Sequence, residues 1–431
     1  MITSPAFADR KFALLGLARS GFAAARSLAA GGAQILAWDS SEEARAKVAD
    51  IATIADPLSV DLRGYDGIVV SPGVPINNHP IADKAAADGV ALIGDIELFA
   101  MARDSLPPHR VVGITGTNGK STTTALVHHL LKSAALPVRM GGNIGLPILS
   151  QSPLSAGGVY ILELSSYQID ITKTLGCDVA ALINISPDHL DRYDGFRGYV
   201  ASKARLFEMQ NAHQHSVFGN SDEDTLRIYN HVLPRRKPGY CHLTAPAAVV
   251  GQADWPSLQG PHNLQNVGVA IAIVEALGIS ERQWRAALPR FGGLAHRMEI
   301  VAEKNGVLFV NDSKATNAAS TAPALAAYPR IHWILGGIAK TDNLDECVPN
   351  FGNVVKAYTI GESGPMFNAL LSPHIDVEGC ELMVTAVTHA AANAKPGDVI
   401  MLSPACASFD QFKDFEARGD CFKAAVESLP L

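Results

Sequence analysis

Val111-Val112-Gly113-Ile114-Thr115-Gly116-Thr117-Asn118-Gly119-Lys120-Ser121-Thr122 reads as an apolar strand that runs into a Gly-rich turn and opens a helix. A turn of this kind lets backbone N–H groups converge on phosphate oxygens, and the helix N-terminus adds the positive end of a dipole. A lysine bridges β- and γ-phosphates there, and a hydroxyl can ligate Mg²⁺. Gly116, Thr117, Asn118, Gly119, Lys120, Ser121 and Thr122 are therefore the candidate ATP-binding loop. The spacing departs from the plain Walker pattern: Gly113 falls one residue early, and Ile114 stands where the first glycine would be. The weight rests on Gly116-Thr117-x-Gly119-Lys120-Ser121.

Outward from this loop, short apolar strands alternate with Ala-rich helices, the mark of parallel βαβ units. Upstream, strands are expected at 12–15, 34–38, 67–70 and 91–93, with helices at 20–30 and 81–88. Asp104-Ser105-Leu106-Pro107-Pro108-His109 reads as a linker, because Pro-Pro disfavours helix. Downstream, strands at 110–114, 159–164 and 179–185 and a helix at 262–277 complete a second run, which ends near Gly292-Gly293. Strands at 307–310, 332–335, 354–360 and 398–402, with helices after Asn317 and near 364–371 and 387–394, make a third. The expected fold class is α/β, with three domains joined in series over 1–104, 105–295 and 296–431.

Composition narrows the function. With 48% hydrophobic and 18% charged residues the chain is a folded enzyme type and not a disordered one. A formal charge of −7 without a Lys/Arg run argues against nucleic-acid binding. The six cysteines lie far apart with no Cys-x-x-Cys pair, as expected of reduced thiols in the cytoplasm. The Ala/Leu-rich stretch at 12–33 is broken by Arg19 and Arg26 and by four glycines, so it reads as strand, turn and helix and not as a signal peptide. No apolar run is long enough for membrane insertion.

Weaker signals surround the loop. Leu15-Gly16-Leu17-Ala18-Arg19-Ser20-Gly21 resembles Gly-x-Gly-x-x-Gly with Ala18 at the second glycine, whose methyl argues against a tightly cradled dinucleotide; Asp39 stands where a ribose or nucleobase partner would. The turn is either a nucleotide site or a bare structural turn. Glu163 closes an apolar strand before Ser165-Ser166, and Ile185-Ser186-Pro187-Asp188-His189-Leu190-Asp191 follows another. Taken singly each is a solvated loop residue; taken together on strands downstream of a phosphate loop they are candidate metal ligands. By itself Lys203 reads as a solvated helix residue, Lys340 as a surface charge, and Asn263 and Asn266 as decoration of a helix's first turn.

Gly116–Thr122, Asn143 in Gly-Gly-Asn-Ile-Gly, Glu163-Leu164-Ser165-Ser166, Asp188-His189, Lys203, His262-Asn263 and His296-Arg297 together resemble the Mur ligases over nearly the whole chain. Asn311-Asp312-Ser313-Lys314-Ala315-Thr316-Asn317 and Ser403-Pro404-Ala405-Cys406-Ala407-Ser408-Phe409-Asp410-Gln411-Phe412 look like those of the D-glutamate-adding members. The resemblance implies an N-terminal Rossmann-like domain for the UDP-sugar, a central P-loop ATPase-type parallel sheet and a C-terminal Rossmann-like domain for the amino acid, in a monomeric cytoplasmic ligase that uses ATP and two Mg²⁺ to join UDP-N-acetylmuramoyl-L-alanine to D-glutamate in peptidoglycan precursor synthesis. It implies that Lys120, Glu163, His189 and Lys203 are catalytic, with Thr122 and Glu163 serving one Mg²⁺ and His189 with a carbamylated Lys203 the other. It assigns Asn263, Asn266, Arg297 and Asp312 to the nucleotide, and Ala18, Arg19, Ser20, Asp39, Ser40, Ser71, Gly73 and Asn143 to the UDP-sugar substrate. For D-glutamate it points to Lys314, Thr316, Lys340, Ser408, Phe409 and Phe415.

Overall fold

The computed structural model describes residues 1–189, 192–244 and 251–430, so Leu190 and Asp191 of the predicted acidic block lie outside the described residues. The chain forms two compact units, Met1–Ala245 with Gly268–Ala287, and Pro246–Val267 with Leu288–Leu431.

The first unit holds two sheets. One is built from β1 (Lys11–Leu15), β2 (Gln34–Trp38), β3 (Thr53–Ile54), β4 (Gly67–Val70) and β5 (Leu92–Ile93), in the order β3-β2-β1-β4-β5 and parallel throughout. Its helices are α1 (Arg19–Ala30), α2 (Glu42–Ala46), α3 (Ile81–Asp88) and α4 (Asp95–Ala102). The order reverses between β1 and β4, which in an open parallel sheet places a crevice at the carboxyl ends of those two strands.

The second sheet contains β6 (His109–Thr115), β7 (Val138–Gly142), β8 (Gly158–Glu163), β9 (Val179–Leu182), β10 (His215–Phe218) and β11 (Cys241–Leu243), again all parallel, in the order β11-β10-β9-β6-β8-β7. Helices α5 (Lys120–Ser133), α6 (Ser166–Asp170), α7 (Gly195–Glu208), α8 (Glu223–Val232), α9 (Pro261–Ala276) and α10 (Glu281–Ala287) accompany it, although α9 begins in the second unit. Strand β6 is central because Val111, Val112 and Ile114 are fully buried, as a strand covered on both faces requires. Apolar packing runs without a break from Phe12 and Leu28 through Phe99 to Tyr160 and Leu206, so the Pro107-Pro108 segment joins two sheets that share a core.

The third sheet, in the second unit, has β12 (Glu299–Lys304), β13 (Val307–Asn311), β14 (Ile331–Gly336), β15 (Val354–Ile360), β16 (Val377–Glu381) and β17 (Val399–Leu402), in the order β12-β13-β17-β14-β15-β16. Helices α11 (Ala318–Leu325), α12 (Gly364–Leu371), α13 (Met383–Asn393) and α14 (Phe415–Ser428) cover it. This sheet is mixed: β12 pairs antiparallel with β13, and the rest are parallel. The hairpin turns at Asn305-Gly306, both with positive φ, the pair a two-residue hairpin favours.

Candidate active site

The phosphate-type loop leaves the carboxyl end of β6. Gly116 has φ 158° and an added Cβ would sit 3.2 Å from Ile183 Cβ, so a side chain there would push the loop off the neighbouring strand. Gly119, in the left-handed region, caps α5 without any side-chain cap, leaving the first-turn N–H groups directed outward from the helix start. Lys120 Nζ donates to the carbonyls of Gly116 and Thr117, at 2.8 Å each. The loop is stitched to the segment after β9: Thr117 N donates to Asn184 O and Asn118 N to Asn184 Oδ1, both at 2.9 Å, and Ser186 N donates to Thr117 Oγ1. Tyr199 of α7 places its hydroxyl 3.1 Å from Thr117 Oγ1. Neither Asn184 nor Tyr199 stood out in the sequence, although Asn184 lies just before the predicted Ile185–Asp191 block.

Glu163 sits at the end of β8, beside β6, and is buried. Its Oε1 accepts from Asn143 Nδ2 at 3.2 Å, while Oε2 is buried without a hydrogen-bond partner. A buried carboxylate oxygen left unpaired costs about 1–3 kcal/mol unless a cation completes it. Gly142 allows this approach, since a Cβ there would meet Glu163 O at 2.2 Å. His189, exposed and with φ 52°, faces Tyr167 edge-on and lies 3.6 Å from Asp188 Oδ2.

Lys203 is the clearest departure from its residue-by-residue reading. It is only 1% exposed, not solvated, with Nζ donating to Gly116 O at 2.8 Å and lying 4.6 Å from the Tyr199 ring centre. Burial, helped by the nearby Lys120 charge, holds its pKa well below that of an ordinary lysine. Lys120, Glu163 and Lys203 thus come together around the carboxyl ends of β6 and β8.

In the first sheet, the Gly16–Ser20 turn occupies the crevice between β1 and β4. Ser71 Oγ donates to Gly16 O, and Gly21 is required because a Cβ would strike that same carbonyl. Asp39 closes the turn: Leu17 N donates to its Oδ2 at 2.6 Å and Ser41 N to its Oδ1 at 2.8 Å. Arg19 Nη2 donates to Gly145 O, near Asn143; Ala18, Ser40 and Gly73 are exposed and Ser20 is half-buried.

In the second unit, Asp312 is buried, accepting from Met298 N at 3.2 Å and, at Oδ2, from Ser403 Oγ at 2.9 Å. Burial pushes its pKa up to about 7. Arg297 follows His296, whose carbonyl accepts from Lys314 N. Lys314 Nζ stands 3.9 Å from the centre of the Phe415 ring, at the start of α14, a contact in which the ring face attracts the cation. Arg418, on the same helix and only 1% exposed, was missed by sequence reasoning: its Nη2 donates to Ser313 O and its Nε to Ser313 Oγ. Ser408 is buried, Phe409 is 70% exposed, Lys340 is exposed as its bare reading had it, and Thr316 is half-buried. Asn263 and Asn266 are buried in the first turns of α9 and bond to each other at 3.0 Å.

Comparison with known proteins gives this geometry a setting. Residues 114–240 match the Mur ligase middle domain, and 296–406 the Mur ligase, glutamate ligase domain. A protein of Novosphingobium aromaticivorans named UDP-N-acetylmuramoylalanine--D-glutamate ligase is 66% identical, over 100% of this chain and 97% of the relative. One of the same name from Sphingopyxis alaskensis is 56% identical over the full length of both. Among solved structures, UDP-N-acetylmuramate-alanine ligase MurC from Thermotoga maritima superposes with a TM-score of 0.59 at 16% identity, covering 97% of this chain and 99% of its own, a likeness of fold. The chain belongs to the Mur ligase family, among relatives that carry the D-glutamate ligase name along its whole length.

Proposed function

We propose that this chain joins the carboxylate of the L-alanyl group of UDP-N-acetylmuramoyl-L-alanine to the amine of D-glutamate at the expense of ATP, a step of peptidoglycan precursor synthesis. The observation that carries it is the cluster of the Gly116–Thr122 loop, the unpartnered Glu163 Oε2 and the buried Lys203, in a chain whose full-length relatives bear the D-glutamate ligase name. The carboxylate attacks the γ-phosphorus in line, giving an acyl phosphate and ADP. The free amine of D-glutamate then attacks the acyl carbon, and the tetrahedral intermediate collapses with loss of phosphate. Lys120 and the first-turn N–H groups of α5 hold the triphosphate; Lys314, Thr316, Lys340, Ser408, Phe409 and Phe415 hold D-glutamate; the Gly16–Ser20 turn with Asp39, Ser40, Ser71, Gly73 and Asn143 holds the UDP-sugar.

The oxygen donors suit Mg²⁺: an orphaned buried carboxylate oxygen on Glu163 is the kind of ligand this hard cation takes. Thr122 and Glu163 would hold one ion, His189 and a carbamylated Lys203 the other, and the metal supplies neutralisation of phosphate charge. Lys203 is suited to carbamylation because its depressed pKa leaves a free lone pair. That nitrogen adds to CO₂ and loses a proton, turning a cation into an anionic oxygen ligand. Asn263, Asn266, Arg297 and Asp312 serve the nucleotide. On this reading the enzyme is a cytoplasmic monomer of three domains, 1–104, 105–295 and 296–431, whose partners are small molecules.

Amino-acid-dependent ADP release tests the reaction: D-glutamate should support it and L-glutamate, L-alanine and meso-diaminopimelate should not. A response to L-glutamate without one to D-glutamate would overturn the assignment. For the carbamate, Lys203→Ala should lose activity and regain part of it with added short carboxylates; full activity without any rescue agent refutes the metal role.

A further inference from the structure

Away from the nucleotide loop, among the described residues, one group of His, Cys and acidic side chains brings three different ligand atoms within 4.8 Å of one another: Glu378, Cys380 and His389. The two strand residues lie on β16, the edge strand of the third sheet, and the histidine on α13, which packs against it. Their arrangement follows from a local irregularity. The register of β15 with β16 passes from Thr359↔Gly379 to Ile360↔Glu381, so Cys380 is the extra residue of a bulge. A bulge re-aims a side chain, and here it sets a buried thiol beside a half-buried carboxylate and an exposed imidazole.

We infer that Glu378, Cys380 and His389 form a binding site for a thiophilic divalent cation of the zinc type, separate from the magnesium sites proposed around Glu163 and Lys203. A thiolate with an imidazole selects Zn²⁺ or Co²⁺ over Mg²⁺, and three protein ligands leave a fourth position for water. His389 Nδ1 now stands 2.5 Å from Glu378 Oε1, a short hydrogen bond. A tetrahedral ion with bonds of about 2.0 Å needs these atoms roughly 3.3 Å apart, an opening that rotation of these two solvent-accessible side chains can supply. Glu378 Oε2 meanwhile accepts from Lys356 Nζ at 2.9 Å, which orients the carboxylate from outside as a supporting contact should. Burial and the Glu378 charge hold the Cys380 thiol up at about 11, so the ion enters by displacing the thiol proton to solvent. Bound there, it ties α13 to the edge strand. Just beyond, the carbonyl of Glu381 accepts from Gln411 Nε2 at 2.9 Å, so the ion braces the strand end on which the Ser408–Phe412 segment leans.

The test uses the full chain stripped with chelator, then titrated with Co²⁺ in excess Mg²⁺. The wild type should develop a thiolate-to-cobalt charge-transfer absorption that saturates at a single site, and Zn²⁺ should bleach it. Cys380→Ser should abolish the band, while Cys421→Ser, at another half-buried thiol, keeps it. His389→Ala, a change at an exposed position that spares the fold, should weaken the ion's affinity at least about ten-fold. Absence of the band in the wild type, its survival in Cys380→Ser, or unchanged affinity in His389→Ala would each overturn the site.

Discussion

Asp312→Asn isolates a buried charge. The wild-type carboxyl has its pKa raised from 3.8 to about 7 by burial. A raised carboxylate pKa means the folded state holds its proton more tightly than the unfolded chain. Its burden on stability is therefore absent below about pH 4, grows as pH rises through the window between the two values, and is complete above about pH 7. Three units correspond to about 4 kcal/mol at most, of which about 2.5 kcal/mol falls between pH 5 and pH 8. Asparagine fits the site: its oxygen can keep the bond from Met298 N, and its amide can donate to Ser403 Oγ, which is free to turn its own proton toward Thr321 Oγ1 at 3.1 Å. Urea unfolding of both proteins, followed by tryptophan fluorescence at several pH values, checks this. The stability of Asp312→Asn relative to wild type should climb with pH across the window, because every other titrating group cancels in the difference. A difference that is flat in pH would refute the reasoning.

Gly419→Ala should destabilise by about 2 kcal/mol in urea unfolding, despite better helix propensity, because the new methyl would lie 2.1 Å from His296 Nδ1 and break its 3.0 Å bond with Asn311; an unchanged or raised midpoint would contradict this. Tyr199→Phe removes the hydroxyl from Thr117 Oγ1 and should cost about 1 kcal/mol of transition-state stabilisation, a roughly five-fold fall in kcat/KM for ATP with the D-glutamate KM unmoved. Arg418→Lys loses the paired bonds to Ser313 and should raise the D-glutamate KM while the ATP KM holds, in steady-state assays with each substrate varied in turn.

The parallel strands announced themselves because each is a short apolar run bounded by turn residues, and a strand buried on both faces has no other composition open to it. The antiparallel edge was harder. Glu299–Lys304 has only exposed and half-buried side chains, two glutamates and a lysine among them, so it lacks the apolar run; the Asn305-Gly306 pair after it was the available signal. Lys203 illustrates the same limit at the site. A lysine in a helix carries no local sign of burial, and what buries this one is β6 and Tyr199, distant in sequence. Asn184 and Arg418 act by bonding to backbone carbonyls and amides of segments far along the chain, and such partners leave no trace in spacing. The phosphate loop was legible because all its parts are consecutive.

The Gly16–Ser20 turn brings its own anion. The N–H of Leu17, the one most ready to meet a phosphate, is already engaged by Asp39 Oδ2 at 2.6 Å. A diphosphate bound at this turn has the uncapped first-turn N–H groups of α1 to meet, and not that of Leu17. Restoring the glycine spacing with Ala18→Gly would therefore not by itself turn this lobe into a dinucleotide carrier, since the resident carboxylate would still occupy the cradle. Retargeting the lobe has to begin at Asp39, one strand away from the motif that first draws the eye.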